Sequence, residues 1–199
     1  MDDRLDNKYL LGAGLELMRK NGKPLTKQPG FGTSMRYAMP NGKTVRVRTC
    51  NDHVLIVIGD SPDPDEAKLN IEGTDWLLIV MPEIERTAGK VLAYLVPTSV
   101  AAKAVRDCHR DWLKSNPKTK GNNTTFNIWF DEGGKSAGFA ARWHEYLLPG
   151  DANVTESFRS DPVTPTGSLK DEVESARQRI AKAAGVSTSA VKITVEYGA

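Results

Sequence analysis

The sequence has few cysteines, few aromatic residues and no long hydrophobic run. Its two cysteines, Cys50 and Cys108, are far apart and outside any C-x-x-C pair, so we predict free thiols and neither a disulfide framework nor a cysteine-based zinc site. No apolar stretch approaches the roughly 20 residues that a membrane-spanning helix requires. The N-terminal residues MDDRLDN are acidic where a signal peptide is basic. We therefore expect a cytoplasmic protein without a membrane partner.

The composition is that of a folded protein with one main core. Hydrophobic residues make up 39% of the 199 residues, which is enough for one ordinary core and excludes a disordered chain. We predict a core domain over residues 1–148. The segment 149–167, PGDANVTESFRSDPVTPTG, is typical of a linker because it is rich in proline, glycine and polar residues. Residues 168–199 are predicted to form a small C-terminal annex.

The region from Met35 to Val96 contains the segments that predict a central sheet. Its apolar, β-branched runs are separated by turn residues, and helical periodicity appears on both sides. We predict an α/β (α+β) fold with a mixed central β-sheet flanked by helices, in which residues 53–58 form a central strand. The predicted helices are 6–21, 97–116 and 136–148, and the other predicted strands are 35–39, 43–49, 76–80, 91–96 and 126–130. Trp112, Trp129 and Trp143 are assigned to the core.

Basic residues cluster in the predicted hairpin around the turn sequence PNG. The first fifty residues carry ten Lys and Arg against four Asp and Glu. Arg46 and Arg48 share one face of their strand, and Arg36 joins them from the partner strand. Guanidinium groups suit phosphate and carboxylate oxygens. The predicted nucleic-acid contacts are Arg36, Lys43, Arg46 and Arg48, together with Lys118 and Lys120 of the basic loop KTKGNNTT. The alternative is an exposed sheet face that charge keeps soluble.

No catalytic, metal-binding or cofactor-binding residue is predicted from the sequence. The acidic segment 61–73 lacks the alternating acids, central glycine and distal glutamate of an EF-hand, so it is interpreted as a solvated surface excursion. The three histidines, His53, His109 and His144, have no motif context that would indicate a catalytic triad. His109 is placed at the polar border of helix 97–116.

Residues 5–108 resemble the PD-(D/E)XK nuclease superfamily in their order of elements. A helix, a hairpin with VRVRT, further strands with DWLLIV and YLVP, and a second helix follow one another. The resemblance implies a mixed sheet flanked by helices and metal-dependent cleavage of DNA. The family's second strand presents an acid, a spacer and a lysine, where this chain has Arg46, Val47 and Arg48. Since an arginine does not coordinate a cation, the resemblance implies the scaffold without its catalyst.

Residues 180–198, IAKAAGVSTSAVKITVEYG, are similar to the helix-turn-helix of LacI-type repressors. That resemblance would place Ser187, Thr188 and Ser189 against DNA. The apolar residues after Ser189 instead alternate with polar ones in period two, which favours a strand. We therefore predict a helix, a loop and a strand in the annex, with the helix-turn-helix as the alternative.

These features predict a non-catalytic, nucleic-acid-associated protein on a degenerate nuclease-like scaffold, with double-stranded DNA as its partner and no cofactor. Two alternatives stay open. The first is a regulatory module that binds a protein partner through the same arginine face and the annex. The second is a metal-dependent nuclease whose metal ligands lie elsewhere in the chain.

Overall fold

The computed structural model describes residues 4–29, 36–117, 123–132, 136–154, 177, 181 and 187–193. The chain divides into two compact units, Met1–Phe158 and Arg159–Ala199. In the first unit the helices are α1 Asn7–Lys20, α2 Thr98–Ser115 and α3 Phe139–Arg142, and the strands are β1 Thr26–Lys27, β2 Arg36–Ala38, β3 Thr44–Thr49, β4 Val54–Ile58, β5 Trp76–Pro82, β6 Gly89–Pro97, β7 Thr125–Trp129 and β8 Asn153–Val154. None of the described helices is long and apolar enough to cross a membrane.

The first helix begins and ends where its sequence indicates. The Asp6 carboxylate accepts a hydrogen bond from the backbone N–H of Lys8, which satisfies one free donor of the first turn. Gly22 follows the helix with a φ of 69°, a conformation that glycine adopts without steric cost. Leu10, Leu17 and other apolar residues of one face are buried. The predicted helix 6–21 is confirmed.

The predicted mixed sheet is confirmed. Its six strands lie in the order β1-β2-β3-β5-β6-β8, with β3 and β5 parallel and every other neighbouring pair antiparallel. Asp75 fixes the start of the parallel pair, because its carboxylate accepts hydrogen bonds from the Thr44 backbone N–H and hydroxyl. These bonds, with one from Lys43, lower the pKa of Asp75 to about 2.

Strand β5 is buried on both faces, and the sheet therefore forms the middle of three layers. Leu78 and Val80 pack with the apolar face of α1. Leu77 and Ile79 face the other way, into a core shared with α2, β4 and β7. A strand covered on both sides needs a continuous apolar run, which WLLIVMP supplies.

The prediction of a central strand at residues 53–58 is wrong. Among the described strands, β4 pairs with β7 alone, in a separate two-stranded antiparallel sheet packed over one face of the main sheet. Leu55 and Val57 point into the core, whereas Ile56 and Ile58 are 49% and 42% exposed. An unbroken apolar run does not reveal that only one face of a strand is covered.

Two further predictions about the segment after α2 are wrong. Trp129 is 45% exposed, because Phe126, Ile128 and Phe130 take the inward positions of β7 and period two sends Trp129 outward. The helix predicted over 136–148 is reduced to α3 and a 3-10 turn, His144–Tyr146. The chain then becomes extended, and the Leu148 N–H donates to the Ala93 carbonyl of β6.

The core unit extends past the predicted boundary at residue 148. Strand β8 pairs with β6, and the Ala152 carbonyl accepts a hydrogen bond from the Val91 N–H. Asn153 and Val154 of the predicted linker therefore belong to the main sheet. In the second unit the structure describes a 3-10 turn, Thr188–Ala190. Most of the predicted annex helix and strand lies outside the described residues.

Candidate anion-binding surface

Three arginines lie together on one face of the main sheet, and we call them the arginine cluster: Arg36, Arg46 and Arg48. Arg36 of β2 lies directly opposite Arg46 of β3 in the antiparallel register. Arg46 and Arg48 are two residues apart, so they share a face with each other and with Arg36. The juxtaposition predicted from the alternating strand sequence is present in the fold.

The arginine cluster is less open than a bare sheet face, because the chain after β4 covers part of it. Arg36 is exposed, whereas Arg46 and Arg48 are half-buried. The Asn70 backbone carbonyl accepts a hydrogen bond from Arg46 Nη1. The Asn70 side-chain oxygen accepts one from Arg48 Nη2 at 3.1 Å, and the Ile56 carbonyl accepts another from the same nitrogen at 3.0 Å. Neutral oxygens thus orient the two guanidinium groups.

No carboxylate of the described chain forms an ion pair with the arginine cluster. Five other arginines do contact carboxylates, namely Arg4, Arg19, Arg86, Arg106 and Arg110. Burial lowers the pKa of Arg46, and the nearby charges of Arg36 and Arg48 lower it further. Burial also lowers the pKa of Arg48. In addition, Arg46 Nε is buried without a hydrogen-bond acceptor. The cluster is therefore a concentration of uncompensated positive charge.

The acidic segment 61–73 does not neutralise these arginines, although it lies close to them in the fold. Two of its carboxylates turn toward α2 instead, where Asp65 pairs with Arg110 at 2.6 Å and Glu72 pairs with Arg106 at 2.8 Å. The segment contributes the neutral Asn70 to the cluster. Two of the segment's four carboxylates thus form ion pairs on a different face of the unit.

Of the three remaining predicted contacts, the structure describes only Lys43. Lys43 Nζ lies 3.0 Å from the Asp75 carboxylate, so its charge already has a partner. Lys118 and Lys120 lie outside the described residues. The structure therefore brings three of the six predicted contacts together.

A cavity of about 450 Å³ opens beside Arg48. Its lining includes Cys50, Asp52, Ile56 and Asn70. Burial raises the pKa of the Cys50 thiol to about 12, so the thiolate that would act as a nucleophile is absent at neutral pH. The cavity thus offers polar contacts beside an arginine rather than a reactive cysteine.

A second cavity, of about 510 Å³, lies between α2 and β7. His109 lines it, yet this side chain is buried and stacks on Phe126 with 3.9 Å between ring centroids. The prediction that placed His109 at a polar border is therefore wrong. Burial lowers the pKa of His109, which favours the neutral ring.

Sequence reasoning missed two features of the candidate sites. Asn70, which holds both half-buried arginines, sits in an acidic excursion whose composition gave no reason to single it out. His53, Glu85 and Asp131 converge at one point and could hold a metal ion. They belong to three separate loops, so no local motif could reveal them.

Comparisons of this chain with protein-family models, with curated proteins and with solved structures find no match.

Proposed function

We propose that the protein binds the phosphate backbone of double-stranded DNA through the arginine cluster, without cleaving it. The observation that carries the proposal is the uncompensated charge of Arg36, Arg46 and Arg48, of which Arg36 is exposed and the other two are half-buried. Half-buried cations without an anionic partner are costly, and a phosphate group supplies the missing negative charge. Phosphate contacts do not read bases, so the binding is independent of sequence.

The absence of cleavage follows from the residue types at the cluster. A metal-dependent nuclease holds its cation with carboxylates next to the scissile phosphate. Arg46 and Arg48 repel a cation and attract the phosphate itself. The cluster is therefore suited to hold the substrate of such an enzyme and unsuited to activate water.

The first test is a salt titration of binding to a labelled DNA duplex. Neutralising three phosphates gives a slope of log affinity against log salt of about −2.7, so affinity is expected to fall roughly 40-fold between about 50 and 200 mM salt. Arg36→Gln is expected to reduce the slope by about 1, and the double variant Arg46→Gln with Arg48→Gln by about 2. Fluorescence anisotropy measures both quantities.

The matched control for this titration is Arg19→Gln. Arg19 is an exposed arginine that pairs with Glu16 at 2.7 Å on α1, across the sheet from the cluster. The control variant should bind as the wild type does. Equal losses in the control and the cluster variants, or no binding at low salt, would refute the proposal.

The second candidate function is a protein-interaction module, which a separate observation favours. Ile56, Ile58 and Trp129 are exposed on the same outer face of the β4–β7 sheet. Exposed apolar patches often mark protein interfaces, and the Ile56 carbonyl contacts Arg48 of the cluster. A chain that binds no DNA at low salt but co-purifies with one defined partner, and loses it in Ile56→Asp, would favour this function.

A plasmid assay tests the third candidate function, a nuclease whose metal ligands lie outside the arginine cluster. Supercoiled plasmid incubated with the protein and Mg²⁺ or Mn²⁺ is expected to remain supercoiled, because the cluster itself holds no metal ligand. Agarose gels resolve nicked from supercoiled forms. Nicking that disappears in Glu85→Gln would contradict the proposed lack of cleavage and establish the nuclease.

A further inference from the structure

Three potential metal ligands from separate loops meet on the first unit. His53 immediately precedes β4, Glu85 lies between β5 and β6, and Asp131 follows β7. One donor atom from each side chain lies within 4.8 Å of the other two. His53 is 7% exposed, whereas the two acids are open to solvent. The group therefore combines a fixed imidazole with two carboxylates that can adjust.

The orientation of the His53 ring is set by a backbone carbonyl outside the group. His53 Nε2 lies 2.6 Å from the Pro82 carbonyl oxygen. A carbonyl oxygen only accepts hydrogen bonds, so Nε2 carries a proton and donates it. Metal-binding histidines are held in this way, with the second ring nitrogen donating to a carbonyl or a carboxylate. The lone pair of a neutral His53 ring is then on Nδ1.

That lone pair faces a carboxylate. His53 Nδ1 lies 2.8 Å from Asp131 Oδ1, and the Glu85 carboxylate is nearby. A neutral Nδ1 and a carboxylate oxygen are both acceptors, so this approach is favourable only with a cation between or beside them. A second proton on the ring would let His53 Nδ1 donate a hydrogen bond to Asp131 Oδ1. A metal ion would bind both of these atoms and the Glu85 carboxylate as well.

We propose that His53 Nδ1, Glu85 and Asp131 bind a divalent transition-metal ion of the Mn²⁺ or Zn²⁺ type. The two carboxylates balance the charge of the ion. The imidazole nitrogen favours these ions over Mg²⁺ and Ca²⁺, which prefer oxygen ligands alone. A cation with ligands at about 2.1 Å needs neighbouring donors about 3.0 Å apart in octahedral coordination and about 3.4 Å apart in tetrahedral coordination. The Nδ1 to Oδ1 separation of 2.8 Å is close to the octahedral spacing, and the exposed Glu85 side chain can approach.

This site is distinct from the arginine cluster and does not rest on DNA binding. Three protein ligands leave further coordination positions on the ion, which water or an atom of a bound small molecule can occupy. The residues of the group lie on loops held by both sheets, so binding should also stabilise the folded chain. Metal affinity is therefore expected to be the same in the wild type and in Arg36→Gln.

The test is a titration of the EDTA-stripped, tag-free full chain with MnCl₂ and with ZnCl₂. Calorimetry is expected to show one saturable site, and thermal unfolding is expected to shift upward with added metal. Glu85→Gln and Asp131→Asn should lower the affinity by about 100-fold or more and abolish the shift, because each removes a direct ligand. The matched controls are Glu83→Gln, whose carboxylate pairs with Lys90, and Glu132→Gln, the exposed neighbour of Asp131.

The controls should bind metal as the wild type does. No saturable binding of either ion would overturn the proposal, and so would equal affinity in the ligand variants and the controls. The nitrogen chemical shifts of His53 give an independent readout. A ring that stays protonated at both nitrogens at saturating metal would identify the group as a simple ion pair with Asp131 and would also overturn the metal site.

Discussion

Asn70→Asp is expected to abolish most of the DNA affinity while leaving the fold intact or more stable. The new carboxylate would occupy the position from which the Asn70 side-chain oxygen already accepts hydrogen bonds from Arg48 and from the Ile58 N–H. It would neutralise the positive charge of Arg48, which in the wild type is available to a DNA phosphate. We expect the affinity for duplex DNA to fall on the order of ten-fold and the salt slope to drop by 1 to 2, as for the loss of one or two phosphate contacts.

The same substitution should raise the free energy of unfolding by about 1 kcal/mol, because a charge-assisted hydrogen bond replaces a neutral one. Anisotropy and urea unfolding measure the two effects on one sample. Asn41→Asp is the control, since it adds the same charge in the exposed turn between β2 and β3. If Asn70→Asp binds DNA as tightly as this control, the arginine cluster is not the phosphate site.

Gly14→Ala and Gly12→Ala are expected to change stability in opposite directions. Both glycines lie in α1, and alanine favours a helix over glycine by about 1 kcal/mol at either position. A Cβ on Gly12 would meet no atom within 4 Å, so this variant should gain most of that amount. A Cβ on Gly14 would lie 2.4 Å from Val80 Cγ2 of β5.

The clash at Gly14 has no easy relief, because Val80 is β-branched and buried between the helix and the sheet. Overpacking of this kind costs about 1–3 kcal/mol. We therefore expect a net loss of stability in Gly14→Ala and a larger loss in Gly14→Val, measured by urea unfolding. Equal gains at both positions would show that α1 does not pack closely on β5.

The features that the sequence predicted correctly are those with local causes. The Asp6 cap and the closing Gly22 define α1 without reference to the rest of the chain. The hairpin from β2 to β3 follows from its turn sequence and its alternation, and the register of Arg36 opposite Arg46 follows from the hairpin. The juxtaposition of the arginines was predictable for the same reason.

The features that the sequence did not predict depend on what covers each segment. Residues 53–58 have the composition of a central strand, yet they form half of a two-stranded layer with Ile56 and Ile58 outward. The predicted helix 136–148 is reduced to α3 and a 3-10 turn, after which the chain is extended and the Leu148 N–H donates to the Ala93 carbonyl of β6. In both cases packing against a distant strand outweighs the local pattern.

By itself, the sequence determined the hairpin, the first two helices and the sharing of one strand face by Arg46 and Arg48, since caps, turns and period-two alternation act between near neighbours. Only the tertiary structure decided that Asn70 would orient these arginines, that Lys43 would pair with Asp75, and that His53 would meet two acids. These contacts join residues far apart in the chain, and their geometry is set by how the layers pack rather than by any local preference.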